Sequence, residues 1–192
     1  MKVLIIFGSP HKSGNTKRLL NGFMSGLGND VQTEIINIFE LNPLPCDDCG
    51  YCKVTDGCRK KDLESFFIAL RDADIIIFAT PIYNMGFPAP LKALFDRFQR
   101  YYNARFERGV KYAFPSARKG VLLVTSGCDD RAGYDIIKRQ CINAFNVLNI
   151  KLFADILITN TDETPVGNLD VCKAQYLAGE LSKEYSKNDN GS

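Results

Sequence analysis

The strongest constraint on this chain is a set of short apolar runs, each followed by a turn and then by a stripe of helical period. Residues 2–8 read KVLIIFG, 74–80 DIIIFAT and 120–126 GVLLVTS. Each is too short for a buried helix and rich in apolar, often β-branched residues, the pattern of a strand covered on both faces. Residues 31–38 (VQTEIINI) and 150–159 complete five strands. Between them run stripes at spacings of three and four: Leu19, Leu20, Phe23, Met24, Leu27; Leu63, Phe66, Phe67, Leu70; Leu91, Leu94, Phe95, Phe98; Ile137, Cys141, Phe145, Leu148; and Val171, Ala174, Ala178, Leu181, Tyr185. Five strands alternating with five helices predict an α/β fold, a doubly wound parallel sheet with helices on both faces. One domain is expected over residues 1–187, with a frayed polar tail at 188–192. Residues 42–61 read as loop, and 101–119 as the longest structureless stretch.

Composition excludes several classes. A chain of 192 residues with 45% hydrophobic and 24% charged residues can bury a core without disulfides or metal. Its 24 Lys+Arg against 22 Asp+Glu leave a net charge of +2, which supplies no basic field for nucleic acid. No apolar run approaches the ~20 residues of a membrane span. The five apolar residues after Lys2 are too few for a signal-peptide core. A cytoplasmic protein is expected.

In an open parallel sheet, ligands bind beyond the carboxyl ends of the strands, so the segments after the first, third and fourth strands carry the functional reading. The first is Gly8-Ser9-Pro10-His11-Lys12-Ser13-Gly14-Asn15-Thr16. It offers the hydroxyls of Ser9, Ser13 and Thr16, the Asn15 carboxamide and backbone N–H groups around Gly14 at a helix N-terminus, a cradle for a phosphate dianion. The Walker A pattern fails, with Asn15 where its lysine belongs, and the Gly-x-Gly-x-x-Gly fingerprint is absent. A terminal monophosphate therefore suits the loop. The second segment holds Pro81, Ile82, Tyr83 and Asn84, a flat aromatic, an amide and small groups suited to a heteroaromatic ring. The third, Thr125, Ser126 and Gly127, lets the backbone approach a ligand edge. A tyrosine phosphatase is excluded, because no cysteine is followed by arginine six residues on.

Cys46, Cys49, Cys52 and Cys58 fall within 13 residues. Their spacing suits a [4Fe–4S] cluster on four thiolates. Zinc on the same thiolates, a redox-active dithiol, a disulfide and four unliganded thiols are the alternatives. Asp47 and Asp48 place negative charge beside an anionic cluster and count against it. Cys141, on an apolar helix face, belongs to the core. Residues 97–108 combine Arg97, Arg100, Arg105 and Arg108 with Phe98, Tyr101, Tyr102 and Phe106. They read either as a guide for a nicotinamide nucleotide or quinone-like acceptor, or as a helix end at a subunit contact.

Taken together, Gly8-Ser9-Pro10 with Ser13-Gly14-Asn15-Thr16, Thr80-Pro81-Ile82-Tyr83, Leu91-Lys92-Ala93 with Phe95-Asp96-Arg97, and Pro45-Cys46-x-x-Cys49-Gly50-x-Cys52 ending in Gly57-Cys58 resemble the flavodoxin-like NADPH-dependent FMN reductase family, including its iron-sulfur flavoprotein branch. The resemblance covers roughly residues 1–160. It implies a five-stranded sheet in the order 2-1-3-4-5 and FMN as cofactor, with phosphate on Ser9, Ser13, Asn15 and Thr16 and the ring against Pro81–Asn84 and Thr125–Gly127. It implies NAD(P)H as donor, a small acceptor or redox partner protein, a homodimer or dimer of dimers, and a cysteine loop of the kind that holds a cluster in that branch. The alternative is a non-catalytic flavin carrier serving a protein partner. His11 stands where the family usually has arginine, so a phosphate role at that position is in question. No acid–base catalyst is assigned, because a flavin carries its own redox chemistry.

Overall fold

The computed structural model describes residues 1–28, 30–111, 114 and 118–189. Its strands are β1 (Lys2–Phe7), β2 (Gln32–Asn37), β3 (Ile75–Pro81), β4 (Arg118–Thr125) and β5 (Ile150–Ile158). They pair in parallel in the order β2-β1-β3-β4-β5, the order expected of a flavodoxin-like sheet. The three continuous apolar runs are the three central strands, and their alternate residues feed two cores. Leu4, Ile6, Ile76, Phe78, Leu122 and Val124 face one layer, and Val3, Ile5, Phe7, Ile75, Ile77, Val121 and Leu123 the other. This is why these strands show no polar alternation. Each side chain of this size contributes roughly 1.5–3 kcal/mol when fully buried.

The five expected helices form α1 (Asn15–Ser25), α4 (Glu64–Asp72), α5 (Ala89–Arg97), α7 (Arg131–Val147) and α8 (Asn168–Asp189). α1 and α8 cover one face through Leu19, Leu20, Phe23, Ala174, Ala178 and Leu181. α4, α5 and α7 cover the other through Phe66, Leu70, Leu91, Phe95, Cys141 and Phe145. Gly120 in β4 is required by this packing, since a Cβ there would stand 2.4 Å from the Phe145 ring.

Three short helices depart from expectation. α2 (Ile38–Leu41) begins where the second strand was expected to end. Asn37 terminates the strand there by accepting the Phe39 N–H on its side chain at 2.9 Å. α3 (Tyr51–Val54) lies inside the expected cysteine loop, entered through Gly50 at φ 73°. α6 (Gln99–Phe106) replaces the start of the expected structureless stretch. Its sequence, QRYYNARF, has no apolar stripe to reveal it; tertiary contacts order it, with Tyr101 edge-on to Phe67 at 5.7 Å and Asn103 buried. Residues 112, 113 and 115–117 of that stretch lie outside the described residues. The tail expected from 188 continues as helix to Asp189, and 190–192 also lie outside them. No described helix is long and apolar enough to cross a membrane.

Candidate functional site

β1 ends against β3, where the Gly8 N–H donates to the Ala79 carbonyl at 2.7 Å. A Cβ on Gly8 would meet Leu91 Cδ2 at 2.8 Å and Thr80 Oγ1 at 3.0 Å, so glycine lets α5 pack against the start of the loop. Ser9 is buried, and its hydroxyl accepts the His11 N–H at 3.2 Å. α1 starts with Gly14 at its cap, no side-chain cap and no acidic residue in the first turn. Its leading N–H groups are therefore unsatisfied among the described residues and carry the positive end of the helix dipole.

The loops after β1, β3 and β4 meet in an open cleft of about 770 Å³. Of the residues singled out from the sequence, Ser9, His11, Gly14, Asn15, Thr16, Pro81, Ile82, Tyr83, Asn84, Thr125, Ser126 and Gly127 all line it. Ser13 lines an adjoining groove with Lys12, Lys17 and Arg18 instead. Tyr83 and Gly86 exchange backbone hydrogen bonds at 2.9 Å around Asn84 (φ 47°) and Met85 (φ 59°). Both central residues are left-handed, as a type I′ turn demands. This turn sets Tyr83 and Met85 on the rim, half-exposed.

A fourth loop, after β5, also enters the cleft with Thr161 and Asp162. Sequence reasoning missed it, although the strand-end rule applied to β5 as to its neighbours. Thr161 donates its N–H (2.9 Å) and hydroxyl (3.0 Å) to the Ser126 carbonyl. The Asp162 carboxylate fills the space beside Gly127, where a Cβ would stand 2.4 Å from Oδ2. The loops are cross-braced beneath the cleft. Thr16 Oγ1 and Thr125 Oγ1 are 2.7 Å apart and buried. Asn15 spends both ends of its amide on the β5–α8 loop, donating to the Thr161 carbonyl at 3.3 Å and accepting the Val166 N–H at 3.0 Å.

The cysteine loop lies elsewhere, held by the arginine-rich segment. Arg97, with 1% of its side chain exposed, pairs with Asp62 at 2.9 Å. It donates to the Leu44 and Lys60 carbonyls at 2.9 and 3.0 Å, closing the neck of the loop. Burial works to raise the Asp62 carboxyl, but the Leu44 N–H and the Arg97 guanidinium outweigh it and hold it below its ordinary value. Arg108 donates to the Cys52 and Thr55 carbonyls at 2.6 and 2.8 Å and pairs with Asp56 at 2.8 Å, while Asn103 donates to Cys52 Sγ at 3.2 Å. Arg97 and Arg108 are thus committed to the loop.

Cys46, Cys52 and Cys58 are half-buried and Cys49 is exposed. Among the described residues, no three His, Cys, Asp or Glu side chains converge as a metal site. As folded, the four thiols do not fit a four-ligand cluster.

The model of the NADPH-dependent FMN reductase family matches residues 1–161. The chain belongs to that family. An iron-sulfur flavoprotein of Archaeoglobus fulgidus is 35% identical over 144 residues, covering 71% of this chain and 70% of that protein. An iron-sulfur flavoprotein of Methanosarcina thermophila is 35% identical over 99 residues, 50% of this chain and 52% of the relative, so the chain spans about half that relative's length. Among solved structures, an NAD(P)H:quinone oxidoreductase from Methanothermobacter marburgensis has a TM-score of 0.70 at 17% identity, covering 94% of this chain and 96% of that one, a likeness of fold.

For a member of the FMN reductase family the donor chemistry of the cleft fits FMN. A phosphate dianion needs N–H and hydroxyl donors with no carboxylate among them, and the uncapped α1 terminus with Ser9 and Thr16 meets that need. The acids of the cleft, Asp129, Asp130 and Asp162, come from the loops after β4 and β5.

Proposed function

We propose that this flavin oxidoreductase takes electrons from NAD(P)H through FMN held in the cleft and delivers them to a small acceptor or redox partner protein. When bound, FMN supplies the redox chemistry, accepting hydride from a nicotinamide and releasing electrons singly or in pairs. The chain supplies binding and access. The first N–H groups of α1 and the Ser9 and Thr16 hydroxyls take the phosphate, and Ser13 reaches it only from the adjoining groove. Asn15 acts from beneath, bracing the loop against Thr161. Pro81, Ile82, Tyr83 and Asn84 flank the ring on one side and Thr125, Ser126 and Gly127 on the other. The Gly127 N–H has no acceptor among the described residues and is free for a ring carbonyl, where it would favour the anionic reduced form. Tyr83 and Met85 border the mouth through which donor and acceptor reach the ring.

The uncapped N-terminus of α1, opening on a cleft built from strand-end loops, carries this reading. The test is extraction and chromatography of the bound flavin, followed by anaerobic titration of the holoprotein with NADPH and with NADH. FMN, bleached by at least one of the two, is the expected result. FAD, or FMN that neither nucleotide reduces, rejects the cofactor or the donor respectively.

A further inference from the structure

A second groove, of about 500 Å³, lies between α4 and α6 and shares no residue with the cleft. Phe67, Tyr101 and Phe114 give it an aromatic floor. Across that floor lies Arg100, its guanidinium 4.5 Å from the Phe67 ring centre and 5.1 Å from that of Tyr101. Only 17% of its side chain is exposed, yet among the described residues it donates no hydrogen bond; its one ion-pair contact is Asp56, at 4.0 Å. Asp56 is itself 83% exposed and bound at 2.8 Å by Arg108. The other charges around the groove are already engaged, Glu64 by Lys61 at 2.8 Å and Arg71 by Asp72 at 3.6 Å. The Tyr101 hydroxyl likewise makes no hydrogen bond among the described residues. Burial pushes its pKa up to about 12, so it remains a donor at any physiological pH.

A planar fork of unused donors on an apolar floor is costly to maintain unless something accepts from it. Arginine matches a carboxylate in two parallel hydrogen bonds, and a guanidinium held against the Phe67 and Tyr101 rings is already restricted in its motion. A phosphate dianion suits the place less well, since one fork and one hydroxyl satisfy few of its oxygens and the floor is aromatic. We propose that this groove binds a small organic carboxylate with a flat apolar body, its oxygens on Arg100 and the Tyr101 hydroxyl and its body against Phe67 and Phe114. The ligand takes the place of Asp56 on Arg100 and leaves Asp56 to Arg108. Because Asp56 belongs to the cysteine loop, occupancy of the groove is felt there.

Benzoate is the probe, followed by backbone amide shifts and by calorimetry at constant ionic strength, with and without FMN. The expected result is saturable binding with shifts confined to residues 64–71, 100–108 and 55–57. Arg100→Gln weakens it at least tenfold and Tyr101→Phe several-fold, the latter keeping the ring packing and so the fold. Shifts confined to residues 81–86 and 125–128 would place benzoate in the cleft and overturn the proposal. So would inorganic phosphate competing as well as benzoate, an affinity unchanged in both variants, or no saturable binding. None of these readings depends on whether FMN is the cofactor.

Discussion

Asn15 looks, in sequence, like a ligand to phosphate, and in the folded chain its amide is turned to Thr161 and Val166, some 150 residues away. Asn15→Asp replaces a donor by an oxygen facing the Thr161 carbonyl, which removes one hydrogen bond and adds repulsion. The expected loss is about 1–3 kcal/mol of stability, together with FMN affinity weakened by an order of magnitude, because the loop it braces is the proposed phosphate cradle. His11→Ala removes an exposed side chain that makes no hydrogen bond among the described residues and should stay within about 0.5 kcal/mol of the parent. Urea unfolding of the apoprotein and FMN titration of both variants measure this; equal behaviour of the two would refute the brace. Cys141 is a different case, a thiol wholly enclosed by apolar groups and pushed far above its ordinary pKa by burial. It should resist a thiol reagent in the native protein, while the exposed Cys49, Cys128 and Cys172 react at once. Cys141→Ser puts an unpartnered hydroxyl in the same place, at a cost of about 1–3 kcal/mol.

At the scale of elements, the cysteine loop depends on α5 and α6 for its shape. Two arginines hold it, Arg97 at the neck and Arg108 at the end of α3, in place of a hydrophobic core of its own. The Asp62 carboxylate that completes the neck has its pKa held below the ordinary 3.8. Its contribution is therefore complete above that value and is lost as pH falls through the lower, folded-state pKa. Amide protection factors across residues 44–61, corrected for the pH dependence of intrinsic exchange, should be unchanged between pH 7 and 5 and should fall only below about pH 3.8. Loss of protection already above pH 5 would show that another group controls the loop. Arg97→Leu leaves Asp62 and two carbonyls without their partner and should release the loop at every pH, at about 3–5 kcal/mol. The same variant should leave the cleft intact, since Arg97 does not line it.

For the whole molecule, the aromatic count near the cleft and α6 bears on assembly. In the sequence, Met85, Phe87, Tyr101, Tyr102 and Phe106 are apolar groups that need cover. Folding supplies part of that cover. Phe87 stacks on Phe95 at 4.3 Å and Tyr101 packs among Phe67, Phe98 and Phe114. Met85, Tyr102 and Phe106 remain exposed, the last two paired at 4.5 Å on α6. Aromatic residues exposed in this way are the kind that interface cores collect. We therefore propose a homodimer, or a dimer of dimers, that uses the exposed Tyr102 and Phe106 face of α6. Light scattering on a size-exclusion column should give at least twice the 21.5 kDa of the chain, and Tyr102→Glu with Phe106→Glu should shift it to monomer. A parent protein that stays monomeric at micromolar concentration would contradict this.

The alternation of short apolar runs and helical stripes was enough, by itself, to determine the sheet, its helices on both faces and the positions of three of the loops that build the cleft. Such patterns are local: whether a segment is covered on one face or two is written in consecutive residues, and right-handed crossovers restrict how the strands join. Asn15 facing inward, the entry of Thr161 and Asp162 into the cleft, the burial of Arg97 and the helical state of residues 99–106 were decided by tertiary structure alone. Each depends on partners that the chain brings together only once folded. A buried arginine looks like any other arginine until Asp62 and two carbonyls surround it, and a carboxamide offers the same donor and acceptor to a ligand as to a distant backbone. Which of them it meets is settled by the packing of the whole sheet.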